Sequence, residues 1–457
     1  MTAHAGAGRT ATSAPEVFIV RCASAKPSHF WNGYALRPEE AEAKMTALST
    51  SEPGRQKYLG DRGLIALIAV LSAFVPLSTD LYLPALPSMG EYFQASADLT
   101  NLTLILFFIF FSAGMLLWGP LSDRYGRRPV LLVGLAIYIV ASAACALAWD
   151  IGSLVLFRVL QALGGSAASA VATAMVKDAY SGRRRESVLA VVQSMVVISP
   201  AVAPVIGAFM LPFTSWRGLF WMLALIGVVS LAGALMLEET APNRYAGTVR
   251  RSFRRLGTVL RNPGFAALLL VFSLVSTASL AFIADSSYIY EDGFGLSAQA
   301  YSLYFALNAI AMISGPFLYL RLSPRFGRGP VILSCFAVMA VSGALICLVG
   351  GQGPLSFALV LFPASLMGSC VRPGGAYLML EQQKEDTGAA SALINCFGLV
   401  FGSAGMVLVS LGGSDLILTL GIINIAVGVV CAASWLAIGR MGITVEVADA
   451  ATLARSK

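Results

Sequence analysis

Four charged side chains lie inside long apolar stretches of this sequence: Asp80, Arg158, Asp285 and Arg372. A charge within a membrane helix costs about 2.5–3.5 kcal/mol on insertion scales, so each of them is a candidate for function. Both histidines of the chain precede the first apolar stretch. Proton transfer inside a membrane would therefore depend on a carboxylate, which means Asp80 or Asp285.

Asp80 and Arg158 are predicted to lie at a similar depth in the membrane. At the rise of an α-helix, Asp80 lies about 25 Å from one membrane surface and Arg158 about 21 Å from the same surface. A carboxylate whose distance from a guanidinium changes between two conformations can bind and release a proton. A permanent ion pair that only packs two helices together is the structural alternative.

The other two charges are candidates for contact with a ligand. Asp285 lies near the end of its apolar run and is followed by hydroxyl-bearing residues, so it could contact a cationic or hydroxylated compound or simply be hydrated. Arg372 is followed by Pro373, Gly374 and Gly375, where a helix can bend beside an aqueous cavity. It could attract an anionic group or balance Asp285, or it could extend its side chain to the membrane surface.

The composition predicts a membrane protein. Of the 457 residues, 57% are hydrophobic and 12% are charged, whereas an average soluble domain has about 25% charged residues. The net charge of +7 comes from Lys and Arg scattered through short connections, so no nucleic-acid partner is expected. The seven cysteines show no CxxC spacing, and neither Asp-rich pairs nor histidines occur in the apolar runs, so neither a metal site nor an enzyme is expected.

Twelve apolar runs divide the chain, each of about twenty residues, which is the length a helix needs to cross a bilayer. Helix is the only plausible spanning structure for runs of this length. We therefore predict an all-α membrane protein. The runs cover residues 63–83, 99–118, 130–148, 152–176, 188–211, 218–237, 264–288, 299–320, 330–350, 355–380, 389–411 and 416–438.

A repeat predicts two pseudo-symmetric six-helix bundles. The sequence RYGRRP at 124–129 returns as RFGRGP at 325–330, with Pro324 where the first copy has Asp123. Lys and Arg concentrate in alternate connections, which places both termini in the cytoplasm. The predicted divisions are a disordered tail at 1–62, whose first 44 residues could come from an upstream start codon, a bundle at 63–237, a linker at 238–263, a bundle at 264–439 and a tail at 440–457.

Four segments carry a resemblance to a known family. The segment GPLSDRYGRRP at 119–129 resembles the signature of the major facilitator superfamily between helices two and three. The segments PLSTDLYLPALP at 76–87, FRVLQALG at 157–164 and FALN at 305–308 are similar to drug–proton antiporters of the bicyclomycin-resistance (Bcr/CflA) type. The resemblance covers about residues 60–440.

The resemblance implies roles for particular residues. Asp80 would be the proton carrier and Arg158 its partner. Asp123 would engage the start of helix eleven near 388–391 and so latch the cytoplasmic side closed. In helix five, Pro200 and Pro204 interrupt hydrogen bonding, and small residues such as Gly207 allow close packing at the seam between the halves. The other implied residues are Gly119, Arg124, Gly126, Arg127 and Arg128 in the gating turn, and Tyr82, Gln161 and Asn308 as substrate contacts, beside Asp285 and Arg372.

The sequence therefore predicts a transporter in the bacterial cytoplasmic membrane that exports a small drug-like or toxic compound in exchange for protons by alternating access. The proton gradient would replace any cofactor, and the lipid bilayer, protons and substrate are the expected partners of a monomer. Two alternatives remain open. A proton-coupled uptake symporter would use the same carboxylate, and a membrane sensor would not transport at all.

Overall fold

The computed structural model of the chain describes residues 56–241, 249–383, 387–413 and 415–442, apart from the side chains of Glu186 and of residues 249–252. The predicted N-terminal tail up to residue 55 and the C-terminal tail after residue 442 lie outside these residues. The α-helices are α1 Gly60–Ser72, α2 Phe74–Asp80, α3 Leu86–Phe93, α4 Ala97–Tyr125, α5 Arg127–Ala146, α6 Ile151–Ala179, α7 Gly182–Met210, α8 Trp216–Met236, α9 Val249–Leu260, α10 Pro263–Ser287, α11 Ala298–Phe326, α12 Arg328–Val349, α13 Pro354–Glu381, α14 Thr387–Ser410 and α15 Leu416–Met441. A π-helix at Tyr288–Gly293 continues α10.

The predicted twelve-span architecture is confirmed. Within the described residues, eleven helical segments are long and apolar enough to cross a membrane, and the bent series α1 to α3 provides a twelfth span. Large apolar side chains such as Val140, Phe317 and Leu348 are exposed on the outside of the bundle, as expected where helices face lipid. The exact boundaries of the two bundles stay predictions. The spans up to α8 are called the first half below, and those from α10 onward the second half.

The first span is broken rather than straight, which corrects the single helix predicted at 63–83. The chain bends by 42° between α1 and the segment Phe74–Phe93, and α2 ends at Asp80. Pro84 explains this end because it has no N–H to donate to the carbonyl of Asp80, four residues earlier. A short 3₁₀ turn at Leu83–Ala85 then leads into α3.

The two copies of the repeat have the same local structure. In each copy one glycine separates two spans: Gly126, with a φ of 104°, joins α4 to α5, and Gly327, with a φ of 80°, joins α11 to α12. These positive φ values favour glycine. The turn predicted at 119–129 is therefore mostly helical, since α4 continues to Tyr125. The end of the bundle where these two glycines lie is called the motif end.

Two helix pairs make most of the contacts between the halves. Helix α4 packs against α14, and α7 packs against α11. At the motif end, the linker predicted at 238–263 contains α9, which contacts α4, α10 and α14. These pairings enclose a space between the halves, where the candidate site lies.

Candidate functional site

A cavity of about 670 Å³ lies between the two halves, a size typical of sites for drug-like molecules. Helices α1, α2, α4, α6 and α7 line it from the first half, and α10, α11, α13 and α14 line it from the second. The lining residues of α4 and α10 lie between the motif end and the contact of Asn101 with Asp285. The opposite end of the bundle, where that contact is made, is called the seam end.

Asp80 lines this cavity at the break in the first span. Its side chain is buried and accepts a 2.9 Å hydrogen bond from the hydroxyl of Thr79. It is the only acidic side chain among the described residues that line the cavity. A carboxylate in this position faces the space that a substrate would occupy.

Arg158 contacts the same break from the other side, without an ion pair to Asp80. Its Nη1 donates a 2.9 Å hydrogen bond to the carbonyl of Ser78, so the predicted common depth of the two charges is confirmed. The predicted pairing with Asp80 is wrong for this conformation: among the described residues the ion pairs involve Arg127 and Arg184. Helical geometry gives the reason, because residues two apart do not face each other.

Arg158 is fully buried in the first half and its guanidinium is held by neutral groups. Nη1 also donates to Oε1 of Gln161 at 2.5 Å, and Nη2 donates to the hydroxyl of Tyr82 at 3.2 Å. The guanidinium carbon lies 4.2 Å from the ring centroid of Phe107 and 4.5 Å from that of Tyr82, in the range of cation–π attraction. Arg158 thus links α6 to the C-terminal end of α2.

Tyr82 and Gln161 belong to this buried network and not to the cavity. Neither has exposed surface, and Gln161 uses its amide to donate to the hydroxyl of Ser142 at 2.7 Å. Neither side chain lines the cavity in this conformation, so their contact with substrate stays a prediction. Residues 78 and 82 share one face of the first span and Asp80 lies on the other, so the network and the cavity occupy opposite sides of the same segment.

Asp285 lies at the seam end, away from the cavity lining. It is buried and accepts a 2.7 Å hydrogen bond from the amide of Asn101, which joins α10 of the second half to α4 of the first. The hydrated surface position offered as an alternative is wrong, and so is the pairing of Asp285 with Arg372. Nearby, the amide of Gln299 donates to the carbonyl of Ala208 at 3.1 Å and links α11 to α7.

The remaining substrate candidates differ in placement. Asn308 is buried next to the cavity-lining Ala309 but is not part of the lining. Arg372 lines the cavity with an exposed side chain. Its extension to the membrane surface, the alternative given above, stays a prediction.

The gating turn is held by ion pairs within the first half. The guanidinium of Arg127 contacts Asp123 at 2.6 Å and Asp178 of α6 at 2.8 Å, and it donates to the hydroxyl of Ser122 at 2.7 Å. Asp123 is half exposed. The latch predicted between Asp123 and residues 388–391 is not formed in the described part of the chain, so the motif end lacks this closing contact.

A carboxylate that the sequence analysis missed completes the turn. Glu239 follows α8 and accepts hydrogen bonds from the backbone N–H groups of Arg127 at 2.8 Å and Arg128 at 3.3 Å. It therefore sits at the positive start of α5. A side chain at Gly126 would overlap this carboxylate.

The other residues of the gating turn differ in their contacts. Arg128 donates to the carbonyl of Leu235 at 2.8 Å. Arg124 is exposed and its guanidinium stacks on the ring of Tyr125. A side chain at Gly119 would meet open space.

The predicted close approach in the fifth span is present at Gly207. Its Cα faces the carbonyl of Leu81, directly after Asp80, and a Cβ there would overlap that oxygen. Pro200 lines the cavity and Pro204 is buried, and α7 continues through both prolines. Gly207 therefore lets α7 pack against the break that positions Asp80.

Asn101, Asp178 and Glu239 were missed by sequence reasoning. Asp178 and Glu239 each lie two residues after the end of an apolar run, so acids flanking the runs were the available signal. Asn101 gave no signal beyond being an amide within a span. No group of three side chains suited to a metal ion comes together within the described ranges.

Comparisons with known proteins agree with this geometry. The sequence matches the Major Facilitator Superfamily over residues 68–406. It is 32% identical to the chloramphenicol resistance protein of Pseudomonas aeruginosa over 76% of this chain and 84% of that protein. It is 30% identical to the uncharacterized MFS-type transporter YdgK of Bacillus subtilis over 74% of this chain and 86% of that protein. A bicyclomycin resistance protein homolog of Haemophilus influenzae is 24% identical over 74% of this chain and 86% of that protein.

Solved structures share the fold. A POT family transporter in complex with 5-aminolevulinic acid superposes with a TM-score of 0.68 at 12% identity, covering 85% of this chain and 99% of that one. A D-xylose-proton symporter superposes with a TM-score of 0.61 at 15% identity, covering 80% and 96%. The predicted resemblance to transporters of the Bcr/CflA type is confirmed by the resistance proteins among the relatives. The chain belongs to the Major Facilitator Superfamily.

Proposed function

We propose that this protein is a proton-coupled efflux antiporter that exports small amphipathic antibiotics across the bacterial cytoplasmic membrane. The observation that carries the proposal is Asp80, the only acid among the described residues that line the cavity between the halves. A buried carboxylate at a break in a spanning helix, facing a central cavity, is an arrangement suited to coupling protons to transport.

The relatives support the substrate class. The chloramphenicol resistance protein and the bicyclomycin resistance protein homolog match three quarters of the chain. The cavity itself suits amphipathic molecules, because the rings of Phe108, Phe111 and Phe272 line it together with hydroxyl-bearing and amide side chains. A compound that has both apolar and polar surface can be desolvated there at a small cost.

Alternating access determines the order in which the substrate and the proton bind and leave. The structure has the seam end joined through Asn101 and Asp285, while Asp123 is not latched to α14. With both termini in the cytoplasm, this conformation faces inward. Substrate enters the cavity as Asp80 releases its proton to the cytoplasm, the halves rock, and Asp80 takes up a proton from outside as the substrate leaves.

Arg158 acts as a positioning residue in this scheme. Its hydrogen bonds to Ser78, Tyr82 and Gln161 hold the C-terminal end of α2, where Asp80 lies, in place. Because the break is anchored to α6, Asp80 moves with the first half as a rigid part of it. The proton affinity of Asp80 then changes as the second half approaches or withdraws across the cavity.

Purified protein in liposomes with an imposed pH gradient tests the proposal. Chloramphenicol transport is compared between the wild type, Asp80→Asn and Glu91→Gln, which alters an exposed acid outside the cavity. We expect gradient-driven transport by the wild type and Glu91→Gln, and none by Asp80→Asn. Equal gradient-driven transport by all three would refute the role of Asp80, and the absence of any gradient-driven transport of an antibiotic panel would refute the function.

A further inference from the structure

Arg372 is an unpaired cation inside the central cavity. Its side chain is exposed to the cavity, and within the described residues its guanidinium forms no hydrogen bond or ion pair. Arg158, which is buried within the first half, has four hydrogen-bond contacts by comparison. A guanidinium that faces a central cavity and has no partner in the described part of the chain is a candidate for ligand binding.

The fold holds Arg372 toward the cavity. Two glycines follow Arg372 in α13. A side chain at Gly374 would overlap the ring of Tyr319, and one at Gly375 would overlap the ring of Phe272. Phe272 itself lines the cavity. Because α13 packs this closely against α10 and α11, the residue one turn before Gly375 is directed into the space between the halves.

Asp80 and Arg372 line the cavity at different depths. Asp80 ends α2, about 30 Å along the first span from its start at Gly60, whereas Arg372 lies about 14 Å from the motif end of α13 at Glu381. The two charges come from opposite halves and do not pair with each other. One molecule that contacts both must be elongated.

We infer that this cavity is built for elongated amphipathic zwitterions, whose acidic group binds Arg372 while a basic group faces Asp80. The inference rests on the proposed efflux function and names its substrate class. A guanidinium binds a carboxylate through two parallel hydrogen bonds, and Phe108, Phe111 and Met312 provide apolar surface for the body of the molecule.

The charges also favour a zwitterion over a simple anion. A lone carboxylate on Arg372 would favour a proton staying on Asp80, because its negative charge would remain in the same cavity. Exchange of substrate for protons requires the opposite, that Asp80 releases its proton when the substrate binds. A zwitterion adds a cationic group, which competes with the proton for Asp80, so that one zwitterion moves outward for each proton that moves inward.

The test uses a matched pair of compounds in proteoliposomes. Norfloxacin has a carboxylate and a basic amine at opposite ends, and its ethyl ester keeps the amine but lacks the carboxylate. Gradient-driven transport of both is measured for the wild type, Arg372→Gln, Arg372→Lys and the control Arg440→Gln, an exposed arginine near the end of α15. Chloramphenicol serves as the neutral reference.

We expect Arg372→Gln to raise the KM for norfloxacin about ten- to a hundredfold, the factor that corresponds to loss of a charge-assisted hydrogen bond. The KM for the ester and for chloramphenicol should change less than threefold, Arg372→Lys should restore part of the preference for the acid, and Arg440→Gln should match the wild type.

Two results would overturn the inference while leaving the efflux function intact. One is wild-type protein that transports chloramphenicol but prefers the ester to the acid or transports neither. The other is an equal loss of all three compounds in Arg372→Gln. Because the wild-type comparison of acid and ester needs no variant, the test holds even where a substitution prevents folding. No gradient-driven transport of any compound would refute the proposed function itself.

Discussion

The amide of Asn101 donates a 2.7 Å hydrogen bond to the carboxyl group of Asp285 and so joins the two halves at the seam end. Both residues are buried, and Oδ1 of Asn101 and Oδ2 of Asp285 have no hydrogen-bond partner among the described residues. A buried carboxyl group with one donor depends strongly on that donor. The contact is therefore well placed to separate the conformation closed at the seam end from the one open there.

Replacing Asn101 with Leu should open the seam end. The substitution leaves the carboxyl group of Asp285 buried without its donor, which costs about 1.5–3 kcal/mol and disfavours the closed conformation. Spin labels at Leu147 and Leu348, exposed near the seam ends of α5 and α12, report the separation of the halves in a background without native cysteines. We expect a population at longer distance to increase.

The matched control for this experiment is Asn395→Leu, which changes a cavity-lining asparagine away from the seam end. It should leave the distance distribution between the two labels as in the parent protein. An unchanged distribution in Asn101→Leu would mean that the hydrogen bond does not contribute to closure.

Arg158→Met should destabilise the protein whether or not Asp80 carries a charge. The substitution removes the donor to the carbonyl of Ser78 and to Gln161, at a cost of about 1–3 kcal/mol for each acceptor left unpaired. A double-mutant cycle with Asp80→Asn, followed by thermal unfolding in detergent, measures the coupling. We expect the two effects to add to within about 0.5 kcal/mol.

A large coupling energy would contradict this assignment. If Arg158 and Asp80 formed an ion pair in the resting protein, removing either partner would make the second removal much less costly. Arg158→Lys distinguishes geometry from charge, because a lysine keeps the charge but lacks the planar fork that contacts four groups at once. It should restore only part of the lost stability.

Sequence reasoning found the spans and the depth of the charges but not which way the side chains face. Apolar length predicts a spanning helix because the bilayer requires it, and the same count placed Asp80 and Arg158 at one level. The pairing failed because Ser78, and not Asp80, lies on the face toward α6. Pro84 is the local signal for the break, because a proline cannot donate the backbone hydrogen bond to the carbonyl of Asp80, four residues earlier.

Contacts between distant parts of the chain were beyond the sequence. Glu239 caps the start of α5 from more than a hundred residues away, and Asn101 meets Asp285 across the halves. Neither contact leaves a pattern in the neighbouring sequence, because both contacts depend on how whole helices pack against each other. Arg372, by contrast, was found by its charge alone, and the structure added that it faces the cavity and has no partner in the described part of the chain.

The two repeat glycines allow backbone strain to be separated from a lost contact. An alanine at Gly126 or at Gly327 adopts a positive φ that costs about 1–3 kcal/mol. A side chain at Gly126 would also displace the carboxylate of Glu239, whereas the nearest atom to one at Gly327 is Cδ of Pro330 at 3.8 Å. Gly126→Ala should therefore be the more destabilising substitution in thermal unfolding.

The excess should disappear when Glu239 is changed to Ala in both variants, because the side chain that a Cβ at residue 126 would overlap is then already absent from the start of α5. We expect the difference between the two alanine variants to be about 1 kcal/mol or more with Glu239 present. Equal destabilisation in the native background would show that Glu239 contributes little to the turn.

Gly207→Ala should impair transport through its effect on the break at Asp80. A Cβ at Gly207 would overlap the carbonyl of Leu81, so α7 must move or the backbone after Asp80 must shift, at a cost of about 1–3 kcal/mol. Gly329→Ala is the matched control, since Gly329 also lies in a spanning helix but its Cβ would meet open space. There the substitution should stabilise the helix slightly. Thermal unfolding and gradient-driven chloramphenicol transport are measured for both. Gly207→Ala with wild-type stability and transport would show that the packing of α7 against Leu81 is not needed to position Asp80.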